Sequence, residues 1–201
     1  MIGYGSVGRG LGDLFTNAGH QVVAGVREGS SRPTSVESAS YPEVAASCSL
    51  ILLAIPYTAV ASAAESLRAE AAGKIVVDAT NPLGENWAPL DLGSQTSAGE
   101  EVQRLFPESR VVKAFNTVFA DNLSPDRLSL GDRRINAFIA GNDTTARRSV
   151  SELAQDAGFE PVEAGDISQS RHLEAIAHLN IQLALGMGRG TNSGFMYFSR
   201  G

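Results

Sequence analysis

At 201 residues, 43% of them hydrophobic, the chain is long enough for one well-filled domain and too short for several. Its formal charge of −6 argues against broad nucleic-acid or anionic-membrane binding. Cys48 is the only cysteine, so an intrachain disulfide is excluded and a reducing cytoplasm suits it; no apolar run reaches the roughly 18 residues of a spanning helix, and no signal-like segment opens the chain.

The chain opens on Gly3-Tyr4-Gly5-Ser6-Val7-Gly8, a G-x-G-x-x-G run that leads into a helical segment at Arg9–Phe15. Each glycine has its own task in a dinucleotide-binding turn. Gly3 permits the tight turn, Gly5 lets a pyrophosphate reach the backbone, and Gly8 lets the helix pack on the sheet. The free N–H groups and positive end of the helix then favour phosphate. Only Met1 and Ile2 precede Gly3. A central strand usually has about five or six residues. The expectation is a very short first strand, or a chain whose true start lies upstream.

Ala18-Gly19-His20 stops the helix, and Gln21–Val26 reads as the second strand. A serine-rich loop, Arg27 to Ser40, leads to a short helix at Pro42–Ala46. Ser49–Ile55 is nearly all apolar, as a strand buried on both faces should be. Tyr57–Ala71 is helical and alanine-rich, Ile75–Asp78 is a strand, and the loop from Asn81 to Ser94 carries the only tryptophan, Trp87. Thr96–Phe106 reads as a helix capped by Thr96 or Ser97, and Val111–Phe115 as a strand. After a long polar loop to Arg134 come a strand to Ala140, a helix capped by Asn142-Asp143, and an edge strand at Phe159–Glu163 marked by Pro161. Leu173–Leu185 is the last helix, before a glycine-rich tail with Phe195, Tyr197 and Phe198. The alternation predicts an α/β fold: a Rossmann-type, doubly wound, mainly parallel sheet with right-handed crossovers. Residues 1–201 form one dinucleotide-binding domain, with 164–201 as a C-terminal helical appendage.

In such a sheet, ligands sit beyond the C-terminal strand ends. Those ends carry Arg27-Glu28, Ile55-Pro56-Tyr57, Thr80-Asn81-Pro82 and Ala114-Phe115-Asn116-Thr117. At the end of the second strand an acid would bind the ribose hydroxyls of NAD and a base the 2′-phosphate of NADP. Both are present. Arg27, followed by Ser30, Ser31 and Arg32, favours NADP; Glu28 keeps NAD as the alternative. Other reactive side chains read as structural. Lys113 lies within a strand and snorkels to an edge. His178 follows Glu174 by one helical turn, as a surface or packing pair. Neither His172 nor His178 has further ligands at metal spacing. Cys48 is a small apolar residue. Leu173, Ile176, Ala177, Leu179, Asn180-Ile181 and Leu185 form a core or dimer face, and Met187 packs or covers a flavin. No side chain is singled out as catalytic.

Taken together, the glycine loop, Gly25-Val26-Arg27, Leu53–Tyr57, Asp78-Ala79-Thr80-Asn81-Pro82-Leu83, Val112–Thr117 and the Ala164–Phe195 segment resemble the NADP oxidoreductases that depend on coenzyme F420. The ferric-reductase domains of the six-transmembrane epithelial metalloreductases are similar. The resemblance covers nearly the whole chain. It implies a homodimer that binds NADP(H) along the glycine loop and passes a hydride to coenzyme F420 or a flavin. It puts Tyr4, Gly5, Ser6 and Val7 on the pyrophosphate and Arg27, with Ser31 or Arg32, on the 2′-phosphate. Ile55 and Pro56 would line the nicotinamide-ribose side, and Ala114 and Asn116 the nicotinamide end. Val26 stands where the archaeal enzymes tend to have serine, and Asn81-Pro82-Leu83 with Phe115-Asn116 looks like the bacterial branch. Two other readings stay open: a non-catalytic NADP(H)-binding sensor or subunit, and an NAD(P)-dependent dehydrogenase of a small substrate. Only residues 164–201 follow the last strand, short for the helical domain such dehydrogenases carry.

Overall fold

The computed structural model describes residues 1–27, 33 and 35–200. Helix α1, Ser6–Asn17, starts at Gly5 and buries Leu11, Leu14 and Phe15 along one face. Gly19, at φ +91°, turns the chain into strand β1, Val23–Val26. Strand β2, Glu37–Ser40, pairs parallel with β1. The serine-rich stretch was expected to be loop; β2 is a polar edge strand, and Glu-Ser-Ala-Ser carries none of the apolar alternation that marks half-buried strands. Helix α2, Tyr41–Ser47, follows at once, with the Glu43 carboxylate accepting from Ser40 N at 2.8 Å and Ser40 Oγ at 2.7 Å.

Strand β3, Leu50–Leu53, a turn of 3₁₀-helix at Tyr57–Ala59, helix α3, Val60–Ala71, and strand β4, Ile75–Asp78, come next. Helix α4, Ala98–Leu105, is capped by Ser97, whose Oγ accepts from Glu100 N at 3.2 Å. Strand β5 is Arg110–Lys113. It ends two residues before the expected Phe115, which takes φ +65° and anchors its ring between Phe15 and Phe159. The long polar loop hides a hairpin, β6, Ser129–Leu130, with β7, Arg133–Arg134. Strand β8, Asn136–Gly141, helix α5, Thr144–Asp156, and strand β9, Glu160–Gly165, follow. The Asp143 cap of α5 accepts from Ala146 N at 2.7 Å. Helix α6, Ser170–Ile181, runs into a π-helical turn at Gln182–Gly186.

The five strands β3-β4-β5-β8-β9 form one run, all parallel except β5 against β8. Ile2 joins this run to β1, bridging Gly25 on one side and Leu53 on the other. Its N–H donates to Leu52 O at 2.7 Å, and its carbonyl accepts from Ala54 N at 2.8 Å. Two residues therefore do the work of a central strand. Met1 faces one core, with Leu14, Phe15 and Val150; Ile2 faces the other, with Val44, Leu67 and Phe106. That alternation is the pleat of a strand. Apolar side chains cover both faces of the sheet, as a doubly wound fold requires.

The apolar surface of α6 divides. Leu173 and Ala177 are buried, while Leu179 and Leu185 are about half exposed and Met187 lies outside. Lys113 does not snorkel to an edge: its side chain is wholly buried between β4 and α6. Cys48 packs at the margin of the second core. The tail returns toward β8, with Asn122 Nδ2 donating to Thr191 O and Ser193 O, and Tyr197 N donating to Asn136 Oδ1.

Candidate functional site

The glycine loop behaves as three separate devices. Gly3 turns at φ +85°, and a Cβ there would lie 2.6 Å from Ala54 O. A Cβ on Gly8 would lie 2.3 Å from Gly3 O, so helix and strand touch through that hydrogen. On Gly5 a Cβ would meet nothing within 4 Å. Gly5 is thus spared a side chain by no neighbour within the protein, and it borders open space. It is also the N-cap of α1, with no side chain capping the first turn. The first N–H groups of α1 are left for a ligand.

That space is a cavity of about 650 Å³, lined by Gly3, Tyr4, Gly5, Arg9, Gly25, Val26, Arg27, Pro33, Ser35, Tyr41, Ala54, Ile55, Pro56 and Ala59. The strand ends at Val26 and Ile55 meet there as the topology predicts. Its described lining holds two arginines and no carboxylate, a composition suited to an anion. Burial, reinforced by the Asp13 carboxylate, pushes the Tyr4 phenol up, and burial does the same to Tyr41. Both phenols stay protonated across the physiological range and can donate. Ser31, Arg32 and Glu28 lie outside the described residues.

A second cavity of about 320 Å³ opens on the other side of the α1 terminus. Ser6, Val7, Ala79, Asn81, Leu83, Trp87, Phe115, Asn116, Ala177, Asn180, Ile181 and Thr191 help to line it. Asn81 and Asn116 brace one another. Asn81 Nδ2 donates to Asn116 O at 2.7 Å, and Asn116 Nδ2 donates to Asn81 Oδ1 at 2.9 Å. Asn116 Oδ1 is buried with no partner among the described residues. Trp87 is 60% exposed at the same place.

The expected site residues that the structure describes fall into three groups. Gly3, Tyr4, Gly5, Arg27, Ile55 and Pro56 line the first cavity, and Ser6, Val7, Asn81 and Asn116 the second. Gly8, Thr80 and Ala114 are buried and line neither; Ala114 belongs to the core. Ile55 and Pro56 stand with the glycine loop and Arg27, away from the Asn116 end. Sequence reasoning missed Tyr41 and Ser35, because β2 was not recognised; the Ser40-to-Glu43 spacing was the available signal. Ala177 and Asn180 of α6, expected on a core or dimer face, are brought to the crevice by the tertiary fold. His178 Nε2 is buried without a partner among the described residues, and burial holds its pKa down. Among the described residues no group of His, Cys, Asp and Glu could hold a metal ion, and no helix is long and apolar enough to cross a membrane.

Comparison with known proteins agrees with this geometry. The family model described as "NADP oxidoreductase coenzyme F420-dependent" matches residues 1–82. A crystal structure from Arthrobacter sp. FB24, provisionally assigned as an F420-dependent NADP reductase, superposes with a TM-score of 0.86 at 30% identity, covering 98% of this chain and 97% of that one. The F420-dependent NADP reductase of Methanothermobacter thermautotrophicus is 29% identical over 204 residues, 90% of this chain and 86% of that protein. Rat Metalloreductase STEAP3 is 31% identical over 183 residues, 88% of this chain. The chain spans only about a third of that relative's length, 35%. With the glycine loop, the sheet order and the whole-length superposition in agreement, the chain belongs to the NADP oxidoreductases of the coenzyme F420-dependent family.

Proposed function

We propose that this oxidoreductase transfers a hydride between NADP(H) and a deazaflavin of the coenzyme F420 type. One observation carries the reading: the first turn of α1 divides two cavities, with Tyr4 and Gly5 on the first and Ser6 and Val7 on the second. A dinucleotide laid across that turn has its pyrophosphate at the free N–H groups. Its adenosine 2′-phosphate is then at Arg27 and its nicotinamide at Asn81 and Asn116. Open space at Gly5, the uncapped helix start and the unpartnered Asn116 Oδ1 fit that ligand.

The nicotinamide supplies the hydride chemistry when bound. The chain's task is to hold and to exclude. Asn81 and Asn116, braced on one another, shape the wall at the ring end. Ala177 and Ile181 exclude water beneath it, and Leu83 with Trp87 offers a flat apolar wall to the acceptor ring. Two flat rings must be held at roughly 3–3.5 Å. No protein acid or base is needed at the reactive carbons. The half-exposed Leu179 and Leu185, with exposed Met187, favour a homodimer through α6 and the turn after it. The lone cysteine suits a reducing cytoplasm.

The test is a titration with NADPH and NADH, followed by NADPH oxidation on adding coenzyme F420, then FAD or FMN. NADPH preference with fast deazaflavin reduction supports the full reading. Turnover with free flavins alone replaces the acceptor. Tight binding with no turnover favours the sensor reading, and no binding overturns the cofactor assignment.

A further inference from the structure

Beneath the Asn116 end of the crevice lies a polar assembly that the reaction above does not use. Lys113 Nζ is wholly buried and has three partners: Asp78 Oδ2 at 2.8 Å, Thr80 O at 2.7 Å and Glu174 Oε1 at 2.9 Å. Asp78 is fully buried, and Glu174 is 4% exposed. Burial alone would discharge the lysine, but the two carboxylates outweigh it and hold its pKa above the ordinary lysine value. Glu174 also accepts from Ala98 N and Gly99 N, each at 3.0 Å, at the positive end of α4. A buried ion cluster is a poor way to gain stability, since apolar residues of the same volume often do as well. Its presence asks for another reason.

The connections supply one. Thr80 is gripped at both ends, its N–H by Asp78 Oδ1 at 2.9 Å and its carbonyl by Lys113. Asn81, next along the chain, holds Asn116 by two hydrogen bonds. Asn116 Nδ2 also donates to Leu173 O at 3.2 Å, and Leu173 precedes Glu174. The circuit closes from Glu174 through Lys113, Thr80, Asn81 and Asn116 back to α6. Its members come from the end of β5, the loops after β4 and β5, and α6, and the two loops and α6 are three walls of the second cavity.

We propose that Lys113, Asp78 and Glu174 are positioning residues that fix the spacing of those walls, and so the seating of the nicotinamide, without touching it. This rests on the cofactor reading above. Two ligands separate the claims. Adenosine 2′,5′-bisphosphate carries the 2′-phosphate half of NADP and lacks the nicotinamide, so it probes only the cavity at Arg27. NADPH probes both. Trp87, the only tryptophan, lies at the ring end and reports its occupancy by fluorescence quenching.

For Glu174→Gln the bisphosphate should bind within about twofold of wild type. NADPH should bind about tenfold more weakly, with reduced Trp87 quenching, a loss of ~1.4 kcal/mol. The turnover number should fall about a hundredfold, since a displacement on the order of 1 Å is enough for that. Should the single change fail to fold, Lys113→Met with Asp78→Asn keeps the cluster's charge balance and must show the same split. Equal weakening of both ligands, or unchanged NADPH binding and turnover with only a lower melting temperature, would overturn the positioning role. A wild-type protein that binds neither ligand overturns the cofactor reading itself, and with it this one.

Discussion

Gly3 and Gly5 stand two residues apart and should respond to the same substitution in opposite ways. Gly3→Ala places a Cβ against Ala54 O in a backbone region that side chains rarely adopt. It should cost about 1–3 kcal/mol, read as a lower denaturant midpoint. Gly5→Ala meets no neighbour, so stability should hold while NADPH binding weakens about tenfold by filling the ligand's space. Arg27→Ala should lose ~2 kcal/mol of NADPH affinity and leave NADH unchanged, because only the 2′-phosphate is addressed by that side chain. A calorimetric titration of both nucleotides checks it. These residues were legible in the sequence because each acts within a few positions of a recognisable turn. Lys113 was not. Its two acid partners come from Asp78 and Glu174, and no local pattern predicts a contact with a helix so far along the chain. One signal was available: a lysine flanked by Val112 and Ala114 in a central strand has no short route to water, and so needs buried carboxylates.

The elements were read most reliably where one force dominates. Strands β3, β4 and β5 centre on apolar residues covered on both faces, and burial marks them. Helices α4 and α5 carry caps at Ser97 and Asp143, each one of the two neighbouring residues the sequence offered. Strand β2 and the β6–β7 hairpin escaped notice because edge pairing needs backbone hydrogen bonds and little apolar surface. The seam between α4 and α6 is a matter of packing that sequence cannot reveal. A Cβ on Gly99 would lie 2.3 Å from Ser170 Oγ, so the two helices meet through a missing side chain. Gly99→Ala should force them apart and cost about 1–3 kcal/mol. Because Gly99 N also donates to Glu174, the same change should lower the melting temperature and weaken NADPH binding together.

At the scale of the whole molecule, a free amine at Met1 makes folding sensitive to pH. The Met1 amine donates to Val23 O at 2.7 Å, and burial lowers its pKa from 8.0 to about 6. Between those values the unfolded chain holds a proton that the folded one has released, so stability rises with pH across that window. Two units correspond to ~3 kcal/mol. Urea midpoints at pH 6 and pH 8 should differ in that direction for the chain with a free Met1 amine, and the difference should shrink when the amine is acetylated. The short stretch of strand at Ile2 has a further effect. Among the described residues, Met1, Ile2 and Gly3 bridge the sheet between β1, which leads to Arg27, and the strands that lead to Asn81 and Asn116. So narrow a joint should open by sub-global fluctuation before the rest unfolds. Amide hydrogens of β1 and β2 should then exchange with deuterium sooner than those of Val76, Val77 and Val111. A ligand that reaches from Arg27 to Asn116 straps the two parts together. On adding NADPH, exchange in β1 should slow toward that of the central strands, while a fragment confined to one side should protect only the strands it touches.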